Sequence, residues 1–264
     1  MRDVRRLVAI VLVVCVACAG SFLGWNRWWR RAGPVNPGVN CPAVVSARHR
    51  VPLAAFGVHR VALIGDSIMV EASCAIAYGL RDLGIETSRY AVSGTGLLTG
   101  LDWLARTRRI LRAQRPDVVV AIFVGNYYPP PRRDASGAVI EADTAAFFRA
   151  WQVRARQLSA EVHAAHARLY WVSPPPIALP KVDRAGRLFA GYRTIPHDHV
   201  LLSGRVLSGP HDSEVPAKTT CGRRRVIRTA DTVHLTDDGG RIYGQQIAHD
   251  LTADLGVLTA PKPC

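Results

Sequence analysis

Short apolar runs alternate with amphipathic segments along most of this chain. Two of the runs, Arg60–Gly65 and Asp117–Val124, are almost continuously hydrophobic, which is typical of strands buried on both faces of a parallel sheet. Strands alternating with helices indicate an α/β fold, a three-layer α/β/α sandwich around a parallel sheet. The same pattern predicts three further strands, at Glu86–Val92, Arg168–Val172 and Val226–Thr229. It predicts four helices, at Ile68–Leu83, Leu101–Gln114, Asp143–Ala167 and Thr236–Leu255.

This regular periodicity is lost at about residues 177–225, a stretch that contains Gly, Pro and several His. A segment of that length without regular structure is uncommon inside a compact domain and is often functional. We therefore predict a loop-rich insertion within a single domain that spans residues 59–264. The proline-containing residues 32–58 are predicted to form a linker that wraps around this domain.

The N-terminal region has a different pattern. Three arginines precede Leu7–Gly24, a run of 18 residues without a charge, and three tryptophans follow it. As a helix this run would be about 27 Å long, close to the roughly 30 Å hydrocarbon core of a bilayer. We predict a transmembrane anchor within residues 1–31, with the large domain outside the cytoplasm. A cleaved signal peptide is the alternative, because Ala17-Cys18-Ala19 resembles a small-residue cleavage site.

The chain is strongly basic, with 34 Lys and Arg against 20 Asp and Glu and a formal net charge of +14. The arginines are dispersed and no nucleic-acid-binding motif is present, so a nucleic acid partner is not predicted. Beside a membrane segment, such a charge favours attraction to anionic lipid headgroups or acidic envelope polymers. The sequence leaves the oligomeric state open.

Four cysteines lie outside the apolar N-terminal run, at positions 41, 74, 221 and 264. An even number in an exported domain predicts two disulfides, and three connectivities are possible for Cys41, Cys74, Cys221 and Cys264. Their spacing does not fit a zinc-ligand pattern, and no metal or cofactor is predicted.

The first strand ends in Gly65-Asp66-Ser67, and a helix is predicted to follow directly. A hydroxyl there would lie at the carboxyl end of a strand and at a helix N-terminus, where free N–H groups and the helix dipole favour negative charge. The same tripeptide is also common in turns with a capping Asp or Ser. The motif therefore depends on partners elsewhere in the chain.

Those partners are predicted near the C-terminus, in Asp231-Thr-Val-His234. A spacing of three brings the two side chains together on a turn that enters a helix. The carboxylate can then accept the imidazole Nδ1–H and leave Nε2 free to take a proton from a serine. In isolation, the same residues would equally suit a helix N-terminus with a surface histidine.

In combination, these motifs resemble the SGNH hydrolase superfamily, the GDSL-type esterases and acyl hydrolases. The family nucleophile corresponds to Ser67, and the remaining triad residues correspond to Asp231 and His234. The resemblance further implies an oxyanion hole formed by the backbone N–H groups of Ser67 and Gly94 and the side chain of Asn126. It covers roughly residues 60–255 and implies a flavodoxin-like strand order.

The third motif departs from the family pattern. The family usually has Gly-x-Asn-Asp, whereas this chain has Val124-Gly125-Asn126-Tyr127. The asparagine is retained, but the usual Gly and the following Asp are absent, so Tyr127 and Tyr128 are predicted to shape the substrate pocket. Asp66 is predicted either to contact the substrate or to brace the turn.

The resemblance implies acyl transfer through a serine ester, on acyl esters of envelope glycans or lipids and without a cofactor. An esterase that passes short acyl groups to water is the leading hypothesis. An O-acyltransferase that passes the same group to a sugar hydroxyl, and an anchored glycan-binding module without catalysis, are the alternatives. Two further motifs, His197-Asp198-His199 and His211-Asp212-Ser213, suggest a metal site or a contiguous triad, but a polar loop near the substrate entrance is favoured for both.

Overall fold

The computed structural model describes residues 57–127, 132–133, 136–178 and 184–256. The predicted anchor, the linker up to residue 56, and Cys41 and Cys264 lie outside these residues. Within them, no helix combines the length and the apolar character needed to cross a bilayer. Cys74 and Cys221 lie within them, on a helix and at a hairpin turn, and the connectivity of the four cysteines stays a prediction.

The centre of the domain is a parallel sheet of five strands in the order β2-β1-β3-β4-β5. This is the strand order of flavodoxin-like doubly wound sheets. The strands are β1 (Arg60–Gly65), β2 (Glu86–Arg89), β3 (Val118–Ile122), β4 (Arg168–Val172) and β5 (His199–Leu201). The helices are α1 (Ser67–Arg81), α2 (Trp103–Gln114), α3 (Ala145–Ala164), α4 (Arg184–Tyr192) and α5 (Asp237–Asp254). The predicted parallel sheet and α/β class are confirmed.

A hydrophobic core lies on each face of the sheet, because both faces of β1 and β3 are apolar. On one face Leu63 and Val120 pack with α1 and α5. On the other face Ile64 and Ala121 pack with residues of α2, α3 and α4. The helices therefore form the two outer layers of a three-layer sandwich.

Helices α1 and α5 pack very closely, and glycines on α5 make this possible. A Cβ atom at Gly240 would lie 2.5 Å from the carbonyl oxygen of Glu71, and one at Gly244 would lie 2.4 Å from that of Ala72. Helix α1 begins at the end of β1, and α5 follows the last loop of the domain. Their contact therefore brings the first and the last helix of the domain together, near the carboxyl ends of the strands.

The region from 177 to 225 contains more regular structure than the sequence analysis predicts. It holds α4 and β5, and β5 pairs with β4 as the fifth strand of the sheet. The apolar residues of this helix recur in the sequence at helical spacing. They are the residues that it buries: Ala185, Leu188, Phe189 and Tyr192. By contrast, a strand of three residues is too short for alternation to reveal it.

The predicted last strand at Val226–Thr229 is wrong. The strands here are β6 (Ala217–Thr220) and β7 (Arg223–Val226), which form a separate antiparallel hairpin. Strand β7 carries three arginines and has only one apolar residue, so its sequence lacks the pattern of a buried strand. Two buried residues, Ile227 and Arg228, then connect the hairpin to the loop before α5.

Candidate active site

The turn between β1 and α1 places Ser67 at the first residue of the helix. Gly65 has φ +152°, and a Cβ atom there would lie 2.2 Å from the carbonyl oxygen of Ile122 on β3. Only glycine allows this approach. The Asp66 N–H donates to that same carbonyl oxygen at 3.1 Å. The sharp turn therefore presents the serine at the end of the strand.

Asp66 caps α1 and joins the ends of two neighbouring strands. Its Oδ1 atom accepts the N–H of Ile68 at 3.1 Å, and its Oδ2 atom accepts the N–H of Val124 at 2.7 Å. The side chain is fully buried, and burial raises the pKa of Asp66 to about 7, against the opposite effect of these two hydrogen bonds. The predicted substrate contact at Asp66 is wrong, because its carboxylate is inaccessible and already bonded. It braces the turn.

The loop before α5 brings the predicted histidine and aspartate to this turn. His234 Nε2 lies 3.0 Å from Ser67 Oγ, and His234 Nδ1 lies 2.5 Å from Asp231 Oδ2. The other carboxylate oxygen of Asp231 accepts the N–H groups of Val233 and His234, each at 2.9 Å, and the Thr229 hydroxyl at 2.6 Å. The aspartate is thus held in place by its own loop while it contacts the imidazole.

Each residue of this pair stabilises the charged form of the other. The hydrogen bond that His234 donates to the Asp231 carboxylate raises the pKa of His234, although partial burial of the ring opposes that shift. The same bond, together with the Thr229 hydroxyl and the loop N–H groups, holds the pKa of Asp231 well below its ordinary value. The side chains of His234 and Asp231 remain 42% and 50% exposed, whereas Ser67 is buried at the start of α1.

Two side chains that the sequence analysis did not identify hold the residues on either side of His234. The buried Arg228 donates from Nη1 to the Val233 carbonyl at 2.6 Å, and from Nη2 to the Pro176 carbonyl. The N–H of Leu235 donates to Glu71 Oε2 at 2.9 Å. The spacing of Glu71 from Ser67, one helical turn, places both residues on one face of α1, but no pattern in the sequence links Glu71 to Leu235. Arg228 carries no comparable signal in the sequence.

The loops that follow β2 and β3 meet beside the serine turn. Gly94 is exposed and has φ +71°, a conformation that favours glycine. Asn126 donates from Nδ2 to the Thr95 carbonyl at 3.2 Å. A Cβ atom at Gly96 would lie 2.3 Å from the Asn126 carbonyl oxygen, so the two loops are in direct contact. Gly94 and Asn126 therefore lie on adjoining loops, and their role as oxyanion donors stays a prediction.

Residues 124–127, which differ from the family motif, are supported by Arg184 on α4. Arg184 donates from Nη1 to the Gly125 carbonyl at 3.0 Å, and its Nε and Nη2 atoms bind the two carboxylate oxygens of Asp143 at 2.5 Å each. Gly125 has φ +101°, and a Cβ atom there would lie 2.6 Å from Arg184 Cδ. The side chain of Arg184 thus supports the turn that carries Asn126.

Tyr127 supports a neighbouring loop. Its hydroxyl donates to the Ile140 carbonyl at 2.7 Å and accepts the N–H of Arg132 at 2.9 Å. The ring packs against Phe147 with a centroid distance of 5.2 Å. These contacts join Tyr127 to Arg132 and Ile140. Its predicted contribution to the substrate pocket stays a prediction, and Tyr128 lies outside the described residues.

Neither of the other two motifs forms a site of its own. The buried Asp198 carboxylate accepts hydrogen bonds from Ser159 and Trp171 and contacts His163 Nε2, each at 2.7 Å, so it ties the start of β5 to α3 and β4. Residues 210–212 form an exposed 3₁₀ turn. Across the described ranges, no three His, Cys, Asp or Glu side chains come close enough to hold a metal ion.

Similar solved structures share this fold at low sequence identity. A psychrotrophic esterase from Pseudoalteromonas sp., inhibited by monoethylphosphonate, is 14% identical with a TM-score of 0.51, over 75% of this chain and 99% of its own. A catalytic mutant of an acetylxylan esterase from Geobacillus stearothermophilus is 14% identical with a TM-score of 0.51, over 76% and 95%. The metagenomic enzyme LAE5 from Lake Arreo, described as an alpha/beta hydrolase, is 15% identical with a TM-score of 0.52, over 77% and 97%. The predicted three-layer α/β/α fold with a parallel sheet is therefore confirmed.

A comparison with curated proteins finds no match. One family model matches residues 60–250, which include β1 through most of α5 and every residue of the candidate site. The chain therefore belongs to the family described as "Protein of unknown function (DUF459)".

Proposed function

We propose that this protein is a serine esterase that hydrolyses acyl esters with Ser67, His234 and Asp231 as its catalytic triad. The observation that carries this proposal is the continuous hydrogen-bonded series from the Asp231 carboxylate through the imidazole to the Ser67 hydroxyl. The carboxylate fixes the ring with Nδ1 protonated, so that Nε2 faces the serine as a base. The fold, shared with esterases, agrees with this chemistry.

The reaction has two halves. His234 takes the Ser67 proton as Oγ attacks the ester carbonyl carbon, and the resulting imidazolium then donates that proton to the departing alcohol. The serine now carries the acyl group. In the second half His234 takes a proton from water, the hydroxide attacks the acyl-serine, and the acid leaves as the proton returns to Ser67 Oγ.

Negative charge develops on the carbonyl oxygen in both halves. Backbone N–H groups of Ser67 and Gly94 and the amide of Asn126 stabilise this oxyanion. Asn126 has two amide N–H donors, of which one reaches the Thr95 carbonyl, and the other is available for the substrate. The bond to Thr95 fixes the amide before substrate binds, which is the property that such a donor needs.

We further propose that the substrate is a short-chain acyl ester of an envelope glycan or lipid, outside the cytoplasm and beside a membrane. The apolar run Leu7–Gly24 and the net charge of +14 support this location. The half-exposed His234 and Asp231 suit an ester carried on a large molecule. Because the same acyl-serine can pass to a sugar hydroxyl, an O-acyltransferase uses the same residues.

Hydrolysis of p-nitrophenyl acetate by the purified full chain tests the activity. We expect turnover by the wild-type protein and none above background by Ser67→Ala; equal turnover by both would contradict the proposal. Mass spectrometry of envelope glycans and lipids from cells with wild-type protein or Ser67→Ala then tests direction. A gain of acyl groups in the mutant indicates a hydrolase, and a loss indicates a transferase.

A further inference from the structure

Glu71 and Ser67 lie on the same helix, one turn apart. Residues at this spacing on an α-helix lie on the same face, with their Cβ atoms about 6 Å apart. Helix α1 is held rigidly, because Ile68, Met69 and Ala72 are fully buried and α5 packs closely against it. The distance from the serine to the glutamate backbone is therefore fixed by the helix itself.

The glutamate side chain connects this helix to the histidine loop. Its Oε2 atom accepts the N–H of Leu235 at 2.9 Å, and Leu235 directly follows His234. The Glu71 main chain also contacts the start of α5, since a Cβ atom at Gly240 would lie 2.5 Å from its carbonyl oxygen. On the other side of the histidine, Arg228 holds the Val233 carbonyl at 2.6 Å. The loop is thus anchored on both sides of His234.

We propose that Glu71 is a positioning residue: by binding the Leu235 N–H from the helix that carries Ser67, it keeps the His234 imidazole at hydrogen-bonding distance from the serine hydroxyl. This inference rests on the proposed esterase function and deepens it. The two hydrogen bonds of 2.9 Å and 3.0 Å connect the same helix to adjacent residues of the loop. Loss of the first frees the loop to move relative to the serine.

The charge of Glu71 has a second effect on the same imidazole. The charged groups that face His234 are Asp231 from its own loop and Glu71 and Asp66 from the β1–α1 segment, with Arg228 close to both Glu71 and Asp231. The carboxylate of Glu71 raises the pKa of His234, in addition to the larger effect of Asp231. Burial raises the pKa of Glu71 itself, and the hydrogen bond from Leu235 opposes that change.

Two substitutions separate position from charge. Glu71→Gln keeps an oxygen that can accept the Leu235 N–H but removes the charge, whereas Glu71→Ala removes both. A displacement of about 1 Å in a catalytic group can reduce the rate by about a hundredfold. We expect Glu71→Ala to lower kcat about tenfold to a hundredfold with KM changed less than about threefold.

The charge effect appears in the pH profile. For Glu71→Gln we expect kcat at pH 8 within about threefold of wild type, because the hydrogen bond is kept. The acidic limb of its profile should move to lower pH, since an uncharged neighbour no longer stabilises the imidazolium. Glu161→Ala serves as control, because that carboxylate pairs with Arg108 at the surface of the opposite helical layer. It should match wild type in both respects.

The experiment measures kcat, KM and pH profile on p-nitrophenyl acetate for the four full-length proteins, together with their melting temperatures. Wild-type kcat in Glu71→Ala, or a kcat in Glu71→Gln as low as that of Glu71→Ala, would overturn the positioning role, whereas an unmoved acidic limb in Glu71→Gln would contradict only the charge effect. If Glu71→Ala does not fold, Glu71→Asp, whose shorter side chain draws the carboxylate away from Leu235, takes its place with the same expected loss of kcat. Absence of turnover by the wild-type protein would instead contradict the esterase function, so the two failures are distinguishable.

Discussion

The Nε2 atom of His234 lies 3.0 Å from the hydroxyl oxygen of Ser67, although 167 residues separate them in the chain. The serine is fixed by the β1–α1 turn, and the histidine is fixed by a loop that contacts α1 through Glu71. The two segments are therefore connected both by this hydrogen bond and by the contact between Glu71 and Leu235.

The pH dependence of activity should report the Asp231–His234 pair. Because the pKa of His234 is raised, the ring stays protonated to a pH above the value of about 6.5 for free imidazole. Only the neutral ring can take the serine proton, so kcat/KM should rise with pH and reach half its maximum above pH 6.5. In Asp231→Asn that midpoint should move to lower pH, and kcat should fall about 10²–10⁴-fold. An unchanged midpoint in this variant would contradict the effect of Asp231 on the pKa of His234.

Removal of the Asn126 amide should affect the rate far more than the fold. We expect Asn126→Ala to lower kcat about 10²–10³-fold, because one oxyanion donor is lost. The melting temperature should change little, since the side chain is only half-buried and makes one neutral hydrogen bond of 3.2 Å. Steady-state kinetics on an aryl acetate and thermal unfolding measure the two effects. A wild-type kcat in a folded variant would contradict the proposed role of Asn126 as an oxyanion donor.

The support that Arg184 gives to the Gly125 turn should be visible in kcat. Arg184→Met removes the hydrogen bond to the Gly125 carbonyl and the ion pair with Asp143, so the turn before Asn126 loosens. We expect kcat to fall about tenfold. Arg187, on the same helix, is exposed and stacks on Phe148 at 3.8 Å, and Arg187→Met is the matched control. Equal kcat values for the two variants would contradict this role.

The brace formed by Asp66 should contribute to stability. In Asp66→Asn an amide NH₂ group replaces one oxygen and faces a buried backbone N–H, which costs about 1–3 kcal/mol in the free energy of unfolding. Asp102→Asn is the control, because Asp102 caps α2 through Oδ1 alone and asparagine is an equally good cap. Urea unfolding measures both variants, and an equal loss of stability in the two would contradict the assignment.

The same residue gives stability a pH dependence of known sign. The folded-state pKa of Asp66 is about 7, above the value of about 3.9 expected in the unfolded chain. Between these values the folded protein binds the additional proton, so the contribution of Asp66 to the free energy of unfolding decreases as pH rises from about 4 to about 7. That decrease should be absent in Asp66→Asn.

The parts of the site that the sequence predicts are those encoded locally. Gly65-Asp66-Ser67 and Asp231-Thr-Val-His234 are each contained in a few consecutive residues. The first lies at the end of β1, and the second lies in the loop before α5, the helix that packs against α1. The braces are different in kind. Glu71 contacts Leu235 across 164 residues, and Arg184 contacts Gly125 across 59, so no local pattern marks either pair.

The missed elements have equally specific reasons. Strand β5 has only three residues and begins with His199, so hydrophobic alternation cannot identify it. The predicted strand at Val226–Thr229 rested on a short apolar pair, but Val226 is 59% exposed at the end of a hairpin. In both cases, pairing with another strand, and not the local apolar pattern, determines where the strand lies. The longer strands and helices, with complete apolar faces, were predicted correctly because burial on both sides of a sheet leaves a strong pattern.

Fluorophosphonate labelling of the full chain, followed by peptide mass spectrometry, tests the central claim most directly. The account predicts one modified residue, Ser67, with labelling lost in Ser67→Ala and slowed at least about a hundredfold in His234→Ala, since the base that activates the serine is removed. Ser93, exposed on the neighbouring loop and without a histidine partner among the described residues, should stay unlabelled. Labelling of Ser93 instead, or of Ser67 at the same rate without His234, would contradict the proposed catalytic triad.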